Sequence, residues 1–180
     1  MLLRLQESAE ARRRLRELED LAYRDKTTGV ANRRALLAEL ERRSGDAGPL
    51  SLLCLDFDGL RVVNNQLSYE HGNDLLRTVA AAIESSLEPG ELVTRLHGSG
   101  GDEFVIVCPG IDETTAAHRA EQLEQQLQRV ELPPPIQALY GGASVGYAVR
   151  LPREQPLDLV SRAAALMREH KRRRQTPPAA

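Results

Sequence analysis

Apolar residues along the chain change period several times, and each change predicts an element. Residues 2–25 contain neither Gly nor Pro and are dense in Arg, Glu and Leu. Leu15, Leu18 and Ala22 step by three and then four, the spacing of an a/d seam, although Arg4 and Ser8 fall on the same seam. Two readings stay open for this helix: a short coiled coil, or a solvated helix leading into the domain. Asp25-Lys26-Thr27-Thr28-Gly29 breaks it, and Asn32 can cap a helix over 33–43. Residues 44–49 read as a loop, and the continuous apolar run 50–55 as a buried central strand. Leu75, Leu76, Val79, Ala82 and Ile83 carry helical periodicity over 74–87, stopped by Glu88-Pro89-Gly90. Two apolar runs, Leu92–Leu96 and 104–108, flank Gly100-Gly101 and read as a hairpin. A polar amphipathic helix over 114–130, a stiff linker at 133–135, a strand over Ala143–Val149 and a helix over 157–174 follow.

This order, a helix, then β-α-β-β-α-β, then a helix, predicts an α+β fold. Its sheet is mainly antiparallel, with the helices of the repeat unit on one face. The expected division is a helix over 1–24 for signalling or dimerisation, a domain over 25–175 and a flexible tail over 176–180. A chain that starts directly in such a helix suggests an output domain cut from, or lacking, an upstream sensor, and that sensor is an expected partner through the helix.

Composition narrows the class. Apolar residues make up 41% and aromatics 3%, so Leu, Val and Ala must fill the core. The net charge of -2 gives no general attraction to nucleic acid or anionic membrane. The terminal Arg run has no interleaved aromatics for stacking bases. No 18-residue apolar run occurs, and because residues 1–10 already carry charge no signal peptide is expected. Cys54 and Cys108 lie in strand-like runs and read as buried, reduced thiols of a cytoplasmic protein.

The chemistry gathers at two acidic strand ends. Gly100-Gly101-Asp102-Glu103-Phe104 puts carboxylates where the chain reverses, against a backbone bare of side chains. The strand over 50–55 ends in Asp56-Phe57-Asp58. In such a sheet Asp56 and Asp102 can be neighbours. Two carboxylates with a backbone carbonyl, water and phosphate oxygens suit Mg²⁺. Asp58 is assigned to the face opposite Asp56. The N–H groups of Gly59-Leu60-Arg61 can receive phosphate oxygens, with Arg61 adding charge. Asn64 and Asn73 can read a base edge through paired donor and acceptor, or serve simply as turn and cap residues.

These residues carry a resemblance to the GGDEF family of diguanylate cyclases. Asp25-Lys26-Thr27-Thr28-Gly29-Val30-Ala31-Asn32-Arg33-Arg34 resembles the family's leading D-x-L-T-G-L-x-N-R-R, with Thr27 in place of Leu. Residues 56–65 resemble D-I-D-x-F-K-x-I-N-D, residues 100–104 are the signature, and Ser144-Val145-Gly146 is similar to the late S-x-G strand. The resemblance implies a palm-like sheet binding one GTP per subunit. Two subunits would meet as a homodimer and join two GTP into cyclic di-GMP, releasing pyrophosphate. It implies that Asp56, the Phe57 carbonyl and Asp102 hold Mg²⁺ (or Mn²⁺), and that Asp102 accepts the 3′-hydroxyl proton. Glu103 would support the metal or the structure. Gly59, Leu60 and Arg61, with Gly100 and Gly101, would face phosphate. Asn64, Tyr69 and Asn73 would face base and sugar, and His170 and Arg174 the terminal phosphates.

Four departures from the family pattern carry expectations. Asn73 stands where Asp is usual and weakens guanine selectivity. His170 stands where the late Lys is usual, with Lys171, Arg172 and Arg174 near; these cations equally fit a solvated helix end. Leu96-His97-Gly98-Ser99 lengthens the turn before the glycines. Glu88 and Glu91 occupy the positions of the inhibitory R-x-x-D site, so no product inhibition is expected there. The rival reading is a weak or inactive module that binds GTP or dimerises as a regulatory adaptor.

Overall fold

The computed structural model describes residues 10, 12–14, 19–96 and 101–175. Its elements are β1 (Ala31–Asn32), α1 (Arg33–Arg42), β2 (Leu50–Phe57), α2 (Leu60–Gln66), α3 (Tyr69–Ser85), β3 (Leu92–Leu96), β4 (Glu103–Pro109), α4 (Glu113–Gln128), α5 (Pro134–Gln137), β5 (Ala143–Val149) and α6 (Pro156–Gln175). The strands form one sheet in the order β1-β3-β4-β2-β5. β1 runs parallel to β3, and the other pairs are antiparallel. Residues 19–23 are helical and lead into the turn at Asp25. Leu15 and Leu18, and with them the proposed seam, lie outside the described residues.

The two-residue period of β2 divides the core. Leu53, Leu55 and Phe57 pack with Leu75, Val79 and Ile83 of α3 and Leu123 and Leu127 of α4. Leu52 and Cys54 face the opposite side, with Leu36 and Leu40 of α1 and Leu159, Ala163 and Met167 of α6. The two helices of the β-α-β-β-α-β unit thus share a face, and the flanking helices cover the other. Each large apolar side chain buried this way contributes about 1.5–3 kcal/mol. Cys54 and Cys108 are both buried and free. Gly146 lets α6 lie close on β5, because a Cβ there would collide with the backbone of Met167.

Some boundaries differ from the sequence reading. α3 begins at Tyr69, capped by Ser68, which accepts from the His71 N–H. Asn73 is therefore inside the helix and is not its cap. The polar stretch 69–73, interrupted by Gly72, hid this start. Gly72 is tolerated because the Asn64 side chain occupies the space its Cβ would take. Helix α2 was not anticipated. Residues 134–137 are a short helix with Pro in its first turn, where a missing N–H costs nothing.

Candidate active site

The antiparallel register brings the acidic ends together. Asp56 at the end of β2 lies opposite Glu103 at the start of β4, and Asp102 immediately precedes Glu103. On its other side Asp56 lies opposite Ser144 of β5. The Asp58 N–H donates to the Gly142 carbonyl at 2.8 Å, which directs the even-numbered groups of this strand end toward β5. The Phe57 carbonyl is thereby turned to the β4 side, where Asp102 lies, while its ring is buried against Phe104.

Asp102 has its carboxyl pushed up from the usual range, first by burial and then by the charge of Asp56. Among the described residues no three carboxylate, imidazole or thiol groups converge as a ready-made metal cage. A cation is nonetheless accommodated. The Lys171 ammonium of α6 sits 2.5 Å from Asp56 Oδ1 and 2.8 Å from Asp58 Oδ1. Carboxylates that draw in a cation have the hard oxygen donors a divalent metal takes.

The same contacts correct the placement of Asp58. Residues two apart on a strand share a face, and one ammonium reaches both Asp56 and Asp58. Burial lowers the Lys171 pKa, but the hydrogen bonds to Asp56 and Asp58 outweigh it and the net shift is upward.

The hairpin tip is held from beneath. Arg95 of β3 donates to the Gly101 carbonyl through Nε at 3.0 Å and Nη2 at 2.7 Å. Its Nη1 donates to Asp25 Oδ1 at 2.9 Å. Asp25 also accepts from the Thr28 N–H and hydroxyl, at 2.9 and 2.7 Å. Gly100 and the lengthened turn at 97–99 lie outside the described residues.

Gly59 caps α2 in a left-handed conformation, φ 110°, and a Cβ there would strike the Leu139 carbonyl. Leu60 and Arg61 follow in the first helical turn, whose N–H groups lack intrahelical partners. Leu60 is itself buried, so its backbone is what remains for a ligand. Asn64 of α2 and Asn73 of α3 lie on adjoining helices. Asn64 Oδ1 is buried with no hydrogen-bond partner among the described residues. Tyr69 leaves 77% of its surface exposed.

Helix α6 supplies cations differently from the sequence alignment. His170 turns away from the acidic strand ends, with Nε2 3.0 Å from Glu124 Oε2 of α4. Lys171, one residue later, faces Asp56 instead. Arg174 donates to Ser144 Oγ at 2.8 Å and to the Ala143 carbonyl, and its Nε lies 3.2 Å from Glu124 Oε1. The sequence reading had Lys171 only as a cation near His170 and Asp58 on the other face, and both join this cluster. The helical period placing Met167 on the sheet also places Lys171, four residues on, over the strand ends.

Comparison with known proteins finds relatives over nearly the whole chain. The family described as "Diguanylate cyclase, GGDEF domain" matches residues 22–177. An uncharacterized protein of Mycobacterium tuberculosis is 37% identical over 170 residues, 91% of this chain and 26% of that protein. Diguanylate cyclase DgcP of Escherichia coli is 27% identical over 162 residues, 87% of this chain and 47% of DgcP. The crystal structure of diguanylate cyclase SiaD in complex with its activator SiaC, from Pseudomonas aeruginosa, matches with a TM-score of 0.76 and 28% identity. That match covers 96% of this chain and 70% of SiaD. The chain spans about a quarter of the length of the first curated relatives it matches. Through its sheet, its paired strand ends and the match over residues 22–177, the chain belongs to the GGDEF-domain family of diguanylate cyclases.

Proposed function

We propose that this chain joins two GTP molecules into cyclic di-GMP with release of two pyrophosphates, as a homodimer dependent on Mg²⁺ or Mn²⁺. The observation that supports this reading best is the apposition of Asp56 and Asp102 at neighbouring strand ends. Asp56, the Phe57 carbonyl and Asp102 would hold the metal. A divalent cation there supplies positive charge to the triphosphate and acidifies the 3′-hydroxyl. Asp102, its basicity raised by burial and by Asp56, takes the 3′-hydroxyl proton. Glu103 supports the strand end. Gly59, Leu60 and Arg61 bind phosphate through backbone N–H groups and one guanidinium. Gly100 and Gly101 leave the tip open to the triphosphate. Asn64 and Asn73 meet the base, and Tyr69 offers an exposed ring beside it. On α6, Arg174 lines the approach of the terminal phosphates, with Lys171 at the metal carboxylates and His170, the position the family pattern assigns to phosphate, held by Glu124.

Each half-site carries one nucleotide, so bond formation requires two subunits facing each other. The helix over 1–24 would set that pairing under an upstream sensor, in the cytoplasm where GTP is held. None of the helices among the described residues is long and apolar enough to cross a membrane. No nucleic-acid partner is assigned.

A second reading has two observations in its favour. Asn73 replaces the usual base-reading carboxylate, and His170 is engaged with Glu124. A module so altered would bind GTP and act as an adaptor. Initial rates measured across a range of protein concentrations separate the two. Rate per subunit that climbs with concentration supports the cyclase. Bound GTP with no turnover at any concentration supports the adaptor.

A further inference from the structure

We propose that Lys171 is a tethered counter-ion that a divalent cation must exchange with at Asp56, and that Asp58 keeps the freed ammonium beside the site. The proposal rests on the reading of Asp56 as a metal ligand.

Lys171 Nζ contacts Asp56 Oδ1 at 2.5 Å and Asp58 Oδ1 at 2.8 Å, with its side chain 23% exposed. A magnesium-type ion would stand about 2.0–2.1 Å from the same carboxylate. An oxygen holding the ammonium is not open to a metal, and two cations on one carboxylate repel, so a metal that takes Asp56 Oδ1 displaces Lys171 from it. Asp58 offers a second resting place that needs no movement of α6. Its backbone is pinned by Gly142 and Gly141, with the Asp58 N–H to Gly142 at 2.8 Å and the Gly141 N–H to Asp58 at 3.0 Å. Gln175 Nε2 donates to the same carboxylate at 3.2 Å, steadying it. Lys171 therefore moves between two fixed acceptors by rotating its own stem.

The residue type matches this task. Of 24 basic Lys and Arg residues, only Lys26 and Lys171 are lysines, and Lys171 is followed directly by Arg172, Arg173 and Arg174. A guanidinium would fork onto the carboxylates and hold them. An ammonium is a compact charge on a flexible stem, able to leave one oxygen for another. The exchange would couple metal arrival to release of a cation aimed at the incoming triphosphate.

Two lysines make the test clean. The full chain is acetylated with an N-hydroxysuccinimide ester, with and without Mn²⁺, and modification of Lys171 and Lys26 is followed by peptide mass spectrometry. Mn²⁺ binding is read in parallel from the electron paramagnetic resonance of the free ion, for wild type and Lys171→Met. The expected result is several-fold faster acetylation of Lys171 at saturating Mn²⁺, with Lys26 unchanged. Lys171→Met should bind Mn²⁺ about tenfold more tightly, as expected when a nearby unit charge is removed from a half-buried site. Mn²⁺ bound with Lys171 acetylation unchanged or slowed overturns the exchange and leaves the metal site standing. No Mn²⁺ bound by either protein overturns the metal site itself, and the exchange with it.

Discussion

Arg95 and Asp25 form a buried ion pair of 2.9 Å, with side chains 6% and 1% exposed, across 70 residues of sequence. The same guanidinium grips the Gly101 carbonyl, so one side chain ties the turn following the N-terminal helix to the tip carrying Asp102. Removing one partner of such a pair costs about 3–5 kcal/mol, because the other charge is left buried alone. Asp25→Ala should lose stability in that range and also lower turnover. Urea denaturation and initial rates check the two effects.

The pH dependence of the pair has a definite sign. Burial works against the Asp25 charge, but hydrogen bonds from Thr28 and Arg95 prevail and lower its pKa below the ordinary 3.8. A carboxylate lowered on folding stabilises the fold above its unfolded pKa. That contribution is lost as pH falls through the folded one. Stability should therefore drop below about pH 4, and Asp25→Asn should flatten that part of the profile. An unchanged acid limb in Asp25→Asn would contradict the assignment.

Asp102 behaves oppositely. Its pKa is raised, so its ionised form opposes folding above the folded pKa. Asp102→Asn should raise the thermal midpoint near neutral pH while turnover falls by about 10²–10⁴-fold, the range for loss of a general base. Calorimetry and product formation on one sample check both directions.

Glu91 is a strut inside the molecule. Arg119 of α4 donates to its Oε2 at 2.8 Å, and the Glu88 N–H donates to the same oxygen at 2.9 Å. Two acids at Glu88 and Glu91 repel a cyclic dinucleotide phosphate. Added cyclic di-GMP should leave initial rates unchanged through this site. Tight product binding that disappears on mutating Glu88 would overturn this expectation.

Asn73 accepts through one oxygen only, whereas a carboxylate accepts from both guanine N1–H and N2–H. Guanine preference over adenine should be reduced by about 1–3 kcal/mol, and Asn73→Asp should restore it. Competing GTP and ATP in one reaction, with products separated by mass, gives the ratio. ATP turnover no higher than that of Asp102→Asn would remove the effect.

Much of this was legible in the sequence because β-structure writes its period plainly. The runs forming β2, β3, β4 and β5, and the acids at their ends, could be read directly. Asn32 was legible as a cap because it precedes a helical run, and it accepts from the Arg34 and Ala35 N–H groups. α2 was not legible, being seven residues between a glycine and a polar stretch. Nor was β1, which has two residues and exists through its pairing with β3. The roles of His170 and Lys171 depend on the rotation of α6, which is set by its packing through Leu159, Ala163 and Met167. One residue of helical phase decides which side chain meets Asp56, and an alignment by motif cannot resolve that phase.

The central claim is that Asp56 and Asp102 together join two nucleotides. It is tested most directly by incubating wild type and Asp102→Asn with GTP and Mg²⁺ and weighing the products. The account predicts cyclic di-GMP from wild type and none above background from the variant. Equal product from both proteins would move the chemistry away from Asp102 and contradict it.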